Sequence, residues 1–90
     1  MIILTYDIKD NNLRSRFSKY LLEYGRRLQY SVYEIKNSKR ILDIVKSEIK
    51  NKFEKEFGQD DSVLIFVLSK NCEIIRYGYA RNEEDDLVMF

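Results

Sequence analysis

The sequence predicts an α+β fold, a mixed β-sheet carrying both of its helices on one face. Three observations carry that expectation. Short runs rich in β-branched and apolar residues open the chain and recur after residue 61. Two longer stretches repeat apolar residues every three or four positions. Turn-forming residues separate these segments.

Ile2 to Ile8 is β-branched and apolar, too short for a helix, and reads as a buried strand. Lys9-Asp10-Asn11-Asn12 is a turn, where Asp10 or Asn11 accepts the free N–H groups of a helix start. Leu13, Phe17, Tyr20, Leu21 and Tyr24 form the apolar stripe of an amphipathic helix, and Gly25 fits the left-handed position that ends it. Leu28 to Ile35 reads as one alternating strand, with Leu28, Tyr30 and Val32 on one face and Gln29, Ser31, Tyr33 and Ile35 on the other. Ser38 is the N-cap of a second helix, whose stripe is Ile41, Val45, Ile49 and Phe53, joined by Leu42, Ile44 and Phe57. Gly58 ends it. Val63 to Leu68 is apolar without alternation, as in a central strand or one sandwiched between layers. Lys70-Asn71 turns the chain into a hairpin partner, Cys72 to Tyr77. A loop with the acidic run Glu83 to Asp86 follows, and Leu87 to Phe90 is a last short strand. Read literally the order is β-α-β-α-β-β-β, two right-handed crossovers and a terminal hairpin. The sheet face away from the helices is then bare and suited to a second copy, with Tyr33 and Ile35 on one side of a strand as part of that surface.

Ninety residues make one domain, and one this short buries only about 60–65% of its unfolded surface, which favours an oligomer. Hydrophobic residues make up 44% of the chain, enough for a folded core. Histidine is absent, which excludes His-based acid–base catalysis and the usual zinc sites. The single cysteine, Cys72, excludes an intrachain disulfide and reads as a buried structural thiol. No apolar run is long enough to span a membrane, and the first residues lack the basic region of a signal peptide, so a cytoplasmic protein is expected. The net charge of +1 hides an asymmetry: residues 1–55 hold 13 Lys and Arg against 7 Asp and Glu, residues 56–90 hold 3 against 8. A basic segment of this kind suits an anionic partner such as nucleic acid, or complements the acidic segment within a folded dimer.

Few residues are placed for chemistry. Asp7 ends the first strand, where it is either a turn residue or a metal ligand. One carboxylate is a weak set for Mg²⁺, but a twofold axis would supply a second copy. At about 100° per residue, Arg14 and Arg16 flank the apolar stripe on opposite sides, near the helix N-terminus. Cations there oppose the helix dipole, which phosphate binding would offset; the alternative is a pair of solvated arginines. Arg26 and Arg27 suit the C-terminal end of the first helix, where the dipole favours cations. Lys36, Lys39 and Arg40 cluster where the second helix begins, either tracking a phosphate backbone or forming a solvated rim. Tyr30 and Tyr33 read as packing residues. There is no Gly-rich phosphate loop, no Ser-His-Asp set and no metal-spaced Cys/His cluster.

Three blocks together resemble a known family. They are the strand ending Tyr6-Asp7-Ile8, the segment Asp10-Asn11-Asn12-Leu13-Arg14-Ser15-Arg16-Phe17, and the segment Tyr24-Gly25-Arg26-Arg27-Leu28-Gln29-Tyr30-Ser31-Val32-Tyr33-Glu34. In combination they look like the signature of the CRISPR-associated protein 2 family, over residues 1–35. The remainder agrees in length and helix placement rather than in signature residues.

The resemblance implies a ferredoxin-like fold, β-α-β-β-α-β, as a homodimer in which a C-terminal strand at 87–90 adds to the partner. That order requires a strand which the residues alone do not reveal. The resemblance also implies that Asp7 is a metal-binding aspartate facing its twofold mate and holding Mg²⁺ or Mn²⁺. Arg14, Arg16 and Arg27 match the family's functional arginines, and Ser31 and Tyr33 its serine and aromatic positions; phenylalanine is common where Tyr33 stands. Lys39 and Arg40 add to the expected nucleic-acid-binding set. The implied role is an adaptor between CRISPR-associated integrase dimers that holds duplex DNA during spacer acquisition. Some members also cut RNA or DNA, by a metal-activated water with arginines neutralising the phosphate. The competing expectations are a toxin-type metal-dependent endoribonuclease on the same fold and a plain interaction module without nucleic-acid affinity.

Overall fold

The computed structural model describes residues 1–68 and 73–78. The elements run β1 (Ile2–Asp7), α1 (Asn11–Leu21), β2 (Gly25–Gln29), β3 (Val32–Ile35), α2 (Lys39–Glu48), β4 (Ser62–Val67) and β5 (Glu73–Gly78). One five-stranded sheet has the order β2-β3-β1-β4-β5. Every pairing in it is antiparallel. The fold is α+β and carries the ferredoxin-like order β-α-β-β-α-β that the resemblance implies, with β5 added at one edge.

The mixed sheet read from the residues is therefore corrected. Residues 28–35 are not one strand: the chain reverses at Tyr30-Ser31, and β2 and β3 form a hairpin. The reversal lacks Gly, Pro, Asn and Asp, and Ser31 alone is a weak turn signal. It is fastened instead by a distant contact, the Tyr6 N–H donating to the Ser31 carbonyl at 3.2 Å. Gly25 does not end α1 in a left-handed conformation, since Gly78 is the glycine with positive φ among the described residues. Gly25 starts β2, where a Cβ would collide with the Glu34 carbonyl oxygen of β3.

Both helix starts follow the sequence. Asp10 Oδ2 accepts from the Leu13 N–H at 2.8 Å, and Ser38 Oγ from the Ile41 N–H at 3.3 Å. These side chains satisfy N–H groups that a helix start leaves free. Beyond Glu48 the second helix widens into a π turn over Ile49–Phe53 and closes with a 3-10 turn, Glu54–Glu56.

One core lies between sheet and helices. β1 alternates: Ile2, Leu4 and Tyr6 are buried, whereas Ile3 and Thr5 are half-buried. β4 alternates as well, with Val63 and Ile65 inward and Leu64 and Phe66 half-buried on the other face. Leu13, Phe17 and Leu21 of α1 and Val45, Ile49 and Phe53 of the second helix complete the core. Phe17 joins the layers, its ring edge-on to Tyr6 at 5.3 Å and to Phe53 at 4.9 Å. Each such ring stabilises the fold by about 1.5–3 kcal/mol through burial. Tyr33 and Ile35 belong to this core, fully shielded beneath the helices, and not to the bare face. The bare face presents Ile3, Val32, Leu64 and Phe66 instead, because strand alternation sends them opposite to the core set. The expected strand at 87–90 and Cys72 lie outside the described residues.

Candidate nucleic-acid interface

A cleft of about 300 Å³ opens where α1 passes the β2–β3 turn. Tyr6, Asn11, Arg14, Ser15, Ser18, Arg27 and Tyr30 line it. Arg14, Ser15 and Ser18 are brought there by helical spacing along α1. Arg27 reaches it from β2, not from a helix end, because the chain is already extended at Gly25.

Both arginines are held by neutral oxygen atoms. Arg14 Nη1 donates to the Ile8 carbonyl at 2.9 Å and the Lys9 carbonyl at 3.3 Å, and its Nη2 to Asn11 Oδ1. Arg27 donates to the Tyr33 hydroxyl through Nε at 3.1 Å and through Nη2 at 2.9 Å. Its Nη2 also donates to Ser18 Oγ at 2.9 Å, and the two hydroxyls of Ser18 and Tyr33 lie 2.6 Å apart. Burial alone would push the Tyr33 phenol up. Hydrogen bonds with Ser18 and Arg27 outweigh it and hold the group below the ordinary tyrosine value. The Tyr33 hydroxyl in turn keeps the Arg27 guanidinium above its usual range. Among the described residues neither cation spends its charge on a carboxylate, which leaves both guanidiniums suited to an anion at the cleft.

The other expected residues lie elsewhere. Asp7 sits on the bare face of the sheet, opposite to the cleft, with a side chain that is 68% exposed and 2.9 Å from Lys9 Nζ. Arg16 leaves α1 on the far side from Arg14 and forms a forked pair with Glu56, at 2.6 and 3.1 Å. The hydrogen bond from Arg16 holds the Glu56 carboxyl below the usual glutamate range. Lys39 and Arg40 begin α2, after Ile35, which pairs with Ile2 at the opposite end of β1 from the cleft. Lys39 spends its charge on Asp43 at 3.4 Å. Ser31 contributes its carbonyl to the turn. The structure thus gathers Arg14, Arg27 and Tyr33 and leaves Asp7, Arg16, Lys39 and Arg40 apart from them.

Reasoning from sequence missed Ser18, which looks like any polar residue of a helix surface. It also misread Tyr30, whose ring is 75% exposed and does not pack. Asp61 was missed too. It is 4% exposed, and its carboxylate accepts the Lys9 N–H at 2.9 Å and the Gly58 N–H at 2.7 Å, fixing the loop between Asp7 and α1.

A metal needs more than one chain offers here. Among the described residues no group of three Asp, Glu, Cys or His side chains is placed to hold an ion. Asp7 supplies one carboxylate, and Lys9 already occupies one of its oxygens. The donor set of a single chain does not fit Mg²⁺ or Mn²⁺, which prefer six oxygen ligands.

A family model described as CRISPR associated protein Cas2 matches residues 1–74, a span holding both the cleft and Asp7. The chain belongs to the Cas2 family. The curated protein named CRISPR-associated endoribonuclease Cas2 3, from Synechocystis sp. (strain ATCC 27184 / PCC 6803 / Kazusa), is 30% identical over 69 residues, covering 77% of this chain and 72% of that protein. The Cas2 match includes β1 to β4 and both helices, so the ferredoxin-like core is the shared part. No helix among the described residues is long and apolar enough to cross a membrane.

Proposed function

We propose that this Cas2 protein works in CRISPR adaptation as a homodimeric adaptor that holds the phosphate backbone of duplex DNA between integrase dimers. The observation that carries this reading is the cleft. Two guanidiniums face it, both oriented by uncharged oxygens and, among the described residues, neither neutralised by an acid. Such fixed forks suit phosphate oxygens and do not read base sequence. The homodimer is supported by the uncovered sheet face, whose apolar stripe of Ile3, Val32, Leu64 and Phe66 a second copy would bury.

A second reading, metal-dependent nuclease activity, is favoured by the name of the Synechocystis relative, an endoribonuclease. In this reading Asp7 is the metal ligand and catalytic residue. Packing two bare faces about a twofold axis would bring a second Asp7 toward the first, which a Mg²⁺ or Mn²⁺ site requires. RNA and DNA are both candidate substrates.

Duplex binding against salt tests the adaptor reading. The unaltered protein should bind with a steep salt dependence, and Arg14→Ala with Arg27→Ala should flatten the slope by about 0.9 for each phosphate no longer neutralised. An unchanged slope would exclude both as phosphate ligands. Asp7→Ala should leave duplex binding intact while removing any cleavage; cleavage that survives it would exclude the second reading.

A further inference from the structure

Tyr30 is the most exposed large hydrophobic side chain among the described residues, at 75%. Its backbone is nevertheless pinned. Gln29 pairs with Val32 across the turn, and the Ser31 carbonyl accepts the Tyr6 N–H at 3.2 Å. A tyrosine has few rotatable bonds, so a ring carried on a pinned turn loses little conformational freedom when something covers it. The ring forms part of the wall of the cleft that holds Arg14 and Arg27. Tyr33 is the main cause that keeps the Arg27 guanidinium above its ordinary range, and Tyr30 is a lesser one, so the exposed phenol stands near that cation. The cleft opens on the helix side of the sheet, and a second copy seated on the bare face would leave the ring uncovered.

We infer that Tyr30 stacks on an unpaired nucleobase while Arg14 and Arg27 hold the adjoining phosphate, so that the cleft favours the junction where a duplex runs into a single strand. A nucleotide joins a flat π face to an anion, and the cleft offers a partner for each part within one wall. An acidic peptide would occupy the guanidiniums and leave the ring without a role. A continuous duplex would do the same. Its bases are stacked on both faces and show only their edges to the grooves, so a ring reaches a base face only where pairing stops. Every base has such a face, and the resulting preference is for unpaired structure and not for sequence. The inference rests on the phosphate-holding role proposed above and adds a selectivity that charge alone does not supply.

Three labelled DNA ligands test it against the full chain: a blunt duplex, the same duplex with a short single-stranded extension, and the extended duplex with an abasic first unpaired position. The parent should bind the extended duplex about tenfold more tightly than the other two, the worth of one base–aromatic stack. Tyr30→Ala should bring the three affinities together, and Tyr30→Phe, which keeps the ring, should hold them apart. The abasic site and Tyr30→Ala remove the same contact, so their losses should not add. The salt slope of Tyr30→Ala on the extended duplex should stay that of the parent, because no cation is removed. Arg27→Ala should weaken all three complexes and flatten the slope by about 0.9. The side chain is exposed, so Tyr30→Ala should melt as the parent does.

A parent protein that binds the three ligands alike would overturn the inference and leave the backbone-holding role standing. So would a Tyr30→Ala variant that keeps the preference for the extended duplex, or one that loses affinity for all three equally. Losses that add between the abasic site and Tyr30→Ala would place the unpaired base elsewhere and overturn it too. A parent without affinity for any of the duplexes would overturn the proposed function, and this inference with it.

Discussion

Replacing Asp61 by alanine should be among the costliest single changes outside the apolar core. The carboxylate is 4% exposed and takes two backbone hydrogen bonds, from Lys9 at 2.9 Å and from Gly58 at 2.7 Å. Hydrogen bonds to a charged group stabilise by about 1.5–3 kcal/mol each. Removing both, and leaving two N–H groups without partners in partly buried positions, sets the loss at about 3–5 kcal/mol. A domain of this length has about 5–13 kcal/mol in total, so the variant should stand close to unfolding. Asp61→Asn keeps one acceptor oxygen but turns an amide donor toward the other N–H, and should lose about half as much. Urea unfolding followed by circular dichroism measures both. With a slope of about 1 kcal/mol per molar for a small domain, the alanine midpoint should fall by roughly 3–5 M. A fall of less than about 1 M at unchanged slope would refute the view that this side chain clamps the loop before α1.

Three further outcomes follow from the packing. Gly25→Ala should weaken the β2–β3 hairpin by about 1–3 kcal/mol, because the added Cβ meets the backbone of Glu34 and the strands must part; a thermal melt equal to the parent's would contradict this. Phe17→Ala should cost about 3–5 kcal/mol, since its ring joins Tyr6 of the sheet to Phe53 of the second helix; chemical denaturation reads the loss. Glu56 is held below its ordinary value near 4.5 by Arg16, so the stability from this pair is fully present above that value and is lost as pH falls through the depressed one. Glu56→Gln should therefore flatten the acid limb of a stability–pH curve, and an unchanged limb would show that the exposed pair contributes nothing.

What the sequence made legible was local. The caps at Asp10 and Ser38 could be read because each accepts from an N–H three residues ahead. The two helix stripes could be read because apolar residues recur with the helical period. The hairpin between β2 and β3 could not, because its reversal at Tyr30-Ser31 is secured by Tyr6, far away in sequence. Tyr33 was placed on the wrong face for the same reason: alternation gives two faces but does not say which one the helices cover. At the site, the resemblance singled out Arg14, Arg27 and Tyr33, which the structure brings together, and also Arg16, which it pairs with Glu56. Residue chemistry alone assigned Arg27 to a helix end. Ser18 and Asp61 take their importance from partners 15 and 52 positions away, and no local pattern reports such distances.

The central position of β1 has a consequence for how the protein is made. Of the five strands β1 leaves the ribosome first, yet one of its two neighbours, β4, follows only after β2, β3 and both helices. At about 5–20 residues per second, roughly 3–12 seconds separate the synthesis of Asp7 from that of Val67. During that interval β1 can pair with β3 alone, and its outer edge, Ile2 to Asp7, stands open. A nascent chain in this state shows its neighbours on the same message an unpaired apolar strand edge, a ready template for the wrong partner. Crowded translation should therefore endanger this protein more than any stress met once β4 is in place.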